Sequence, residues 1–154
     1  MNDVERKRTG EYLITVRKNG ITIDEIQIKN RLMDVLLDTE IGILTGNIPD
    51  LEIKYFSVGT GNSPVTNSDL KLVNETHRYP PTTLPILSAN GEVTTEWILT
   101  ENDAPVHIKE IGIYCGSSAT NALDTGKLIS RILWDFDKTS NVELNIKRID
   151  KVVR

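Results

Sequence analysis

The sequence has few of the residues that most often carry chemistry or cross-links in small proteins. Its 154 residues include one cysteine, Cys115, and two histidines, His77 and His107. A single cysteine cannot form an internal disulfide or a cysteine-rich zinc site. We therefore expect a fold held together by its apolar core and made in a reducing compartment.

Aromatic residues and long apolar runs are also scarce. Trp, Tyr and Phe make up 5% of the chain, which leaves few rings for stacking on bases or sugars. No run approaches the roughly 18 apolar residues that span a bilayer, and the N-terminus lacks the apolar segment of a secretory signal. The formal net charge of -4 argues against general affinity for nucleic acid, which depends on clustered Lys and Arg. These features predict neither a membrane nor a nucleic-acid partner.

The basic residues include two short runs near the ends of the chain, Arg6-Lys7-Arg8 and Lys147-Arg148. Runs of this kind most often form solvated tails or strand faces. The length fits a single core. We expect one domain over residues 1–154, with a flexible basic leader at residues 1–9 and solvated side chains at Lys147-Arg148.

Short apolar-alternating runs separated by turn residues dominate the chain, and this pattern is typical of antiparallel sheets. Asn19-Gly20 and Asn90-Gly91 each separate two such runs, which predicts two hairpins. "CGSSATNALDTG", residues 115–126, reads as a polar loop between strands. Besides the first hairpin, the predicted strands cover 51–58, 83–87, 92–100, 106–114, 128–136 and 142–149.

Two segments have helical features. "KNRLMDVLLDTEIG" has apolar residues at helical spacing, with Asn30 able to cap its start and Gly42 to end it, which predicts a helix near residues 30–38. The sequence Thr66-Asn67-Ser68-Asp69 has the form of a capping box and predicts a short helix near residues 68–75. The expected fold is α+β, mainly an antiparallel β sheet or sandwich.

The segment "FSVGTGNSPVTNSDLKLVNETHRY", residues 56–79, begins like a phosphate-binding turn. A dinucleotide fingerprint fails because Pro64 stands where the third glycine is needed, and no Lys-Ser or Lys-Thr pair completes a Walker loop. Gly59 and Gly61 instead permit a sharp reversal of the chain after a buried strand. Glu75 and Arg78 lie three residues apart, close enough to form an ion pair if the helical turn continues, and such a pair can fix the loop if it is partly buried.

The candidate catalytic residues lack a supporting pattern. His107 and Cys115 are eight residues apart, roughly 26 Å along a straight strand, so they cannot share a metal ion or form a catalytic pair without a fold-back. A carboxylate pair for acid–base chemistry could come from Glu96, Glu101, Asp103 and Glu110. A glycosidase cleft would normally be richer in aromatic residues. We expect no metal, no cofactor and no enzymatic activity, with a small hydrolase as the least favoured alternative.

Trp97 and Trp134 are the largest apolar side chains, and each stands in a strand-like run. Core packing is the expected role for both. Anchoring of a protein interface is the alternative, because Trp is enriched at binding hot spots.

Four segments in a fixed order resemble the N-terminal region of bacteriophage tail-collar fibre proteins, which joins a tail fibre to the baseplate. They are "IKYFSVGTG", "LKLVNETHRY", "IKEIGIYC" and "GKLISRILW", and the similarity runs from about Leu51 to Trp134. The residues that match the family pattern are Gly59, Gly61, Leu72, Asn74, Glu75, Arg78, Glu110, Gly112 and Leu128. For these positions the resemblance implies a structural role, in which they shape and lock the attachment domain.

The resemblance implies a phage virion protein, a tail or baseplate component that attaches tail fibres or forms part of the tail and collar assembly. Its partners would be other tail, baseplate or fibre proteins, and it would form a homo-oligomer, with a trimer favoured. Edge strands and the loops Gly59 to Asn67 and Cys115 to Gly126 would supply the contacts. The protein would be made in the host cytoplasm and reside in the virion tail. A soluble carbohydrate- or receptor-binding module of a phage tail is the alternative.

Overall fold

The computed structural model describes residues 7–30, 32–47, 49–139 and 141–153. In these residues, nine strands form two antiparallel sheets that pack face to face. The strands are β1 (Lys7–Lys18), β2 (Ile21–Lys29), β3 (Ile53–Gly59), β4 (Glu75–Tyr79), β5 (Thr83–Leu87), β6 (Glu92–Leu99), β7 (His107–Cys115), β8 (Lys127–Asp137) and β9 (Glu143–Val153). One sheet has the order β2-β1-β9-β6-β5 and the other β4-β3-β7-β8. The prediction of a mainly antiparallel sandwich is confirmed.

Both predicted hairpins are present. Asn19 and Gly20 have φ angles of 51° and 76°, the positive values that a type I′ turn requires, and they join β1 to β2. In the second hairpin only Gly91 of the Asn90-Gly91 pair has a positive φ, and the Ser88 N–H donates to the Glu92 carbonyl over 2.8 Å. This connection is therefore longer than the predicted two-residue turn. The other predicted strands are observed with ends shifted by a few residues.

The first predicted helix forms later in the chain than expected, as α1 (Asp34–Ile41), followed by a 3₁₀ turn (Gly42–Thr45). The helix begins later because the preceding residues pair with β8. Leu32 forms an isolated bridge with Ser130, and the Met33 N–H donates to the Ile129 carbonyl. Asn30 does not cap the helix. Its N–H donates to the Gly10 carbonyl instead.

The prediction of a second helix near residues 68–75 is wrong. The segment is irregular up to Asn74, and strand β4, which the sequence did not predict, begins at Glu75. Backbone N–H groups that a helix would use internally have distant acceptors here: Leu72 donates to the Tyr114 hydroxyl over 2.9 Å, and Asn74 donates to Glu110 over 2.8 Å.

The main core lies between the two sheets. Alternate residues of β1, β6 and β9 face alternate residues of β3, β7 and β8, as the period-two geometry of strands requires. Trp97 comes from β6 in the five-stranded sheet and packs at 5.6 Å between ring centroids on Phe56. Trp134 comes from β8 in the other sheet and stacks on Phe136 at 4.7 Å. Core packing is thus the observed role of both tryptophans.

One of the two basic runs contradicts its prediction. Lys147 is exposed, but Arg148 is fully buried inside the sandwich. Its guanidinium donates to both oxygens of Asp150 over 2.8 and 2.7 Å and to the Tyr12 hydroxyl over 3.0 Å. Alternation along β9 places these neighbours on opposite faces, so only one of them reaches solvent. In the predicted leader, residues 7–9 belong to β1, and residues 1–6 lie outside the described residues.

A second apolar cluster covers the outer face of the four-stranded sheet. Its buried members are Met33, Leu72, Tyr114, Ala119 and Leu128. Tyr114 and Leu128 alternate with residues of the main core along β7 and β8, so they point to the opposite side. This sheet is therefore covered on both faces, on the inside by the other sheet and on the outside by α1 and two loops.

Candidate functional site

The residues that carry the family resemblance meet on the outer face of the four-stranded sheet. Two loops cover this face: residues 60–74, here the long loop, join β3 to β4, and residues 116–126, here the polar loop, join β7 to β8. Each matched residue lies in one of these strands or in the long loop. They are Gly59, Gly61, Leu72, Asn74, Glu75, Arg78, Glu110, Gly112 and Leu128.

Glu110 projects from β7 into the underside of the long loop, where its side chain is fully buried. Its two carboxylate oxygens accept hydrogen bonds from the backbone N–H groups of Gly61 (3.1 Å), Val73 (3.1 Å) and Asn74 (2.8 Å). A buried carboxylate requires such donors, because burying it without them would be very costly. Glu110 thus replaces the hydrogen bonds that the irregular loop backbone cannot make to itself.

Arg131 supplies the positive charge that balances this carboxylate. It projects from β8, is fully buried, and donates from Nε to Glu110 over 2.8 Å. Its remaining nitrogens donate to Asp69 (2.9 Å) and to the carbonyl oxygens of Ser63 (3.0 Å) and Pro64 (3.4 Å). The guanidinium therefore binds the long loop between residues 63 and 69, and Glu110 binds its two ends.

Asp69 is the second carboxylate on Arg131 and lies closer to solvent. Burial alone would raise its pKa, but hydrogen bonds from Thr66 and the charge of Arg131 outweigh that effect and hold the pKa below its usual value. Half of the predicted capping box forms, because the Thr66 N–H donates to the Asp69 carboxylate over 3.1 Å, and the Thr66 hydroxyl donates to the same carboxylate over 2.6 Å. It closes a turn without starting a helix.

Glu75 and Arg78 form a second buried ion pair on β4. Arg78 donates from Nε and Nη2 to the two oxygens of Glu75 over 2.7 and 2.8 Å, and both side chains are almost completely buried. Arg78 also donates to the Thr120 carbonyl (2.8 Å) and to the Thr125 hydroxyl (2.9 Å), while Glu75 accepts from the Asp124 N–H (2.6 Å). This pair holds the polar loop as the other pair holds the long loop.

A β-bulge explains how this pair forms on a strand. Val58 pairs with His77, but Gly59 pairs with Glu75, so Thr76 is an extra residue in the ladder. Residues three apart on a regular strand point to opposite faces. The extra residue reverses the alternation and brings Glu75 and Arg78 to the same face. The sequence predicted the pair itself, but on a helical turn.

Two tyrosine rings also hold the Arg78 guanidinium in position by stacking. It lies over the rings of Tyr114 and Tyr55, at 4.6 and 5.1 Å from their centroids. Cation–π contact of this kind is stronger where water is excluded. Burial also raises the pKa of the Tyr114 hydroxyl, which accepts a hydrogen bond from the Leu72 N–H. Tyr114 therefore connects the Arg78 pair to the long loop.

The matched glycines stand where the long loop and the sheet come closest. A Cβ added to Gly61 would lie 2.4 Å from the Val73 Cβ and 2.6 Å from a Glu110 oxygen. A Cβ added to Gly112 would lie 2.8 Å from a Leu72 methyl carbon and 2.9 Å from one of Leu128. Distances below 3.0 Å are not tolerated between such atoms, so glycine at both positions lets the loop settle on the strands.

The two histidines and the cysteine do not meet. His107 contacts Asp135 at the exposed start of β7, and Cys115 is buried at its other end. His77 lies on β4 with its Nδ1 beside the Thr76 hydroxyl. Burial raises the pKa of the Cys115 thiol to about 12, which keeps it protonated at neutral pH. In the part of the chain that the structure describes, no cluster of three or more His, Cys, Asp or Glu side chains could hold a metal ion.

The four carboxylates considered for acid–base chemistry have separate surroundings. Glu110 lies under the long loop, and Glu96 accepts a hydrogen bond from Asn145 on the outer face of the five-stranded sheet. Asp103 accepts from the Thr100 N–H and hydroxyl in an exposed turn, which also contains Glu101. The structure does not bring these side chains together as a pair.

Arg131 is the main residue of this site that the sequence did not single out. A signal was present, since it is the only charged residue in the apolar run "LISRILW". A charge in such a run must be paired if it is buried. The partner, however, is 21 residues earlier in the chain and could not be named from spacing.

Comparison with models of known protein families finds no match, and comparisons with curated proteins and with solved structures find none either. Within the described ranges, no helix has the length and apolar content needed to cross a bilayer.

Proposed function

We propose that this chain is a phage virion structural protein, a tail or baseplate component that attaches tail fibres or forms part of the tail and collar assembly. It acts through contacts with other tail, baseplate or fibre proteins and with its own copies, with a trimer favoured. The proposal rests on the family resemblance of four segments. It is supported by one observation: the matched residues of all four segments contact one another around Glu110, Arg78 and Gly112.

The geometry of this cluster suits a structural role. Glu75 and Glu110 have buried carboxylates whose oxygens already accept hydrogen bonds, so they are not open to a dissolved substrate. Two loops that would otherwise move are fixed to the sheet by charged hydrogen bonds. A preformed loop surface binds a partner with little loss of conformational entropy. The ordered loops also expose apolar side chains, among them Leu70 and Leu123, of the kind found at protein interfaces.

The alternative is a carbohydrate- or receptor-binding module. Its carbohydrate-binding form has less support from the structure. Sugar sites usually present aromatic rings to solvent, but every aromatic residue of this chain is buried or half-buried. The four most deeply buried are Tyr12, Phe56, Trp97 and Tyr114. Saturable glycan binding by the purified protein would nevertheless favour the alternative.

Deletion of the coding sequence from the genome that carries it tests the proposal. We expect particles that lack tail fibres or a complete tail in electron micrographs, and restoration by the wild-type chain supplied from a plasmid. A plasmid copy with Lys71→Met, a change at an exposed loop position, serves as the control and should restore the particles equally well. Intact, fully infectious particles after deletion would rule the proposal out.

A further inference from the structure

The hairpin of β1 and β2 ends in an apolar and basic tip, here residues 17–23. Ile21 and Ile23 are 68% and 57% exposed, and Arg17 and Lys18 precede them across the turn. Two isoleucines this exposed on one hairpin are unusual for a surface that faces only water. The charge of Arg17 is partly balanced by Glu143 at 3.8 Å, so Lys18 is the better candidate for contact with a partner.

A groove of opposite character lies between α1 and the long loop. Asp34 and Asp38, four residues apart, line one wall from the same face of the helix, and Leu70, 73% exposed, lines the other. Val35 forms part of the apolar floor. Asp69 also lines the groove, but its charge is balanced by an ion pair with Arg131. No Lys or Arg is among the described residues that line this helix groove.

The two surfaces are complementary, because both are partly apolar and they carry charges of opposite sign. One presents two isoleucines beside a lysine, and the other presents a leucine beside two aspartates. No residue of the hairpin tip is among the described residues that line the groove, so the two surfaces do not meet within one chain. The tip belongs to the five-stranded sheet, whereas the groove lies against the four-stranded sheet.

We propose that the hairpin tip of one copy docks into the helix groove of a second copy. Ile21 and Ile23 pack against Leu70 and Val35, and Lys18 faces Asp38. Such a contact is heterologous, because it joins different surfaces of the two copies, and repetition leads to a closed ring or an open chain. The inference rests on the self-association included in the proposed function, and it names the surfaces that would carry it.

Strand β5 is another exposed apolar edge, with Leu84, Ile86 and Leu87. It has no charged residue that would select a partner, and Pro85 lacks the N–H needed to extend the sheet by strand addition. It therefore provides a matched control: an exposed apolar surface of similar size that the proposed contact does not use.

Charge reversal with rescue tests the contact. We expect Lys18→Glu and Asp38→Lys each to weaken self-association about tenfold or more, measured by sedimentation velocity over a concentration series. The double variant should recover wild-type association, because the reversed charges again attract. Leu87→Ser on β5 should leave association unchanged. Loss of association in Leu87→Ser, or failure of the double variant to recover it, would overturn the proposal.

Disulfide trapping tests the heterologous geometry. Cys115 is buried, so an introduced surface cysteine is the reactive thiol. Under mild oxidation, a mixture of Ile21→Cys and Leu70→Cys chains should form a cross-linked dimer that contains one of each. Cross-linking of Ile21→Cys chains alone, or none in the mixture, would exclude a contact between tip and groove.

The result is separable from that for the proposed function. A chain that stays monomeric at high concentration but is still needed for intact particles would remove this inference and the self-association on which it rests, and would leave the role as a tail component in place. A chain that associates through tip and groove but whose deletion leaves particles intact would do the reverse.

Discussion

Arg131 and Glu110 form a fully buried ion pair, with 2.8 Å between Nε and Oε2, at the point where the long loop meets the four-stranded sheet. Neither charge could remain there alone, because an unpaired buried charge costs several kcal/mol. Together they bind backbone groups at both ends of the loop and at Ser63. The pair is thus the element on which the shape of this surface depends.

Removal of the Glu110 carboxylate should be strongly destabilising. Glu110→Ala leaves Arg131 buried with one carboxylate fewer and leaves three backbone N–H groups without their acceptor. We expect the free energy of unfolding to fall by about 3–5 kcal/mol. Urea denaturation followed by circular dichroism measures it. Glu101→Ala, at an exposed position, is the control and should change little. A small loss at Glu110 would mean that the loop is held by other contacts.

Gly61→Ala should test the close approach of the long loop. The new Cβ would lie 2.4 Å from the Val73 Cβ, so the loop must move away from β7. We expect a loss of about 1–3 kcal/mol in the free energy of unfolding, as in other overpacked sites. At Gly42 the nearest atom to an added Cβ is 3.7 Å away, so Gly42→Ala should be neutral or slightly stabilising. Equal effects of the two substitutions would contradict the packing described.

Arg78→Lys should loosen the polar loop while keeping the positive charge. Lysine cannot donate to both oxygens of Glu75 and to the loop at once, nor stack as a plane on Tyr114. We expect faster hydrogen exchange at the Asp124 N–H, which donates a hydrogen bond to Glu75 in the native state. Lys71→Met removes the other cation near Asp124, at 3.7 Å and well exposed, and should leave exchange at that amide unchanged.

Cys115 should be unreactive in the folded protein. Burial raises the pKa of its thiol from 9.0 to about 12, so at neutral pH thiol reagents should label it only after unfolding. The raised pKa also predicts a stability change. Between pH 9.0 and about 12 the unfolded thiol ionises first, and the stability that this group contributes is lost as the pH rises. Cys115→Ala should therefore show a shallower fall in the free energy of unfolding in the lower half of that window. Rapid labelling of the native protein would disprove the burial.

The features that were predicted from the sequence are those that local chemistry determines. Asn19-Gly20 specifies its turn by backbone conformation alone, and the period-two runs specify the strands. Gly59 and Gly61 were predicted to permit a sharp reversal, but the close approach of Glu110 to both positions was not predicted, because Glu110 lies far along the chain. The existence of an antiparallel sandwich follows from such local signals.

The features that were missed depend on distant partners. A helix over 68–75 was a reasonable local prediction, but Glu110 and Tyr114 take the N–H groups that would have closed it. The bulge at Thr76 is set by pairing with β3, and the sequence of β4 alone does not reveal it. Arg148 was expected in solvent because its burial depends on Tyr12, a residue at the other end of the chain.

The positions of the two tryptophans give this protein a built-in optical probe. Trp97 enters the main core from one sheet and Trp134 from the other, and both are buried. Separation of the sheets would move both indoles from an apolar medium into water at once, and their fluorescence would shift to longer wavelength. Opening of either loop would leave both indoles inside the sandwich. The emission wavelength can therefore distinguish global unfolding of the domain from local opening of the loops that Arg78 and Arg131 bind.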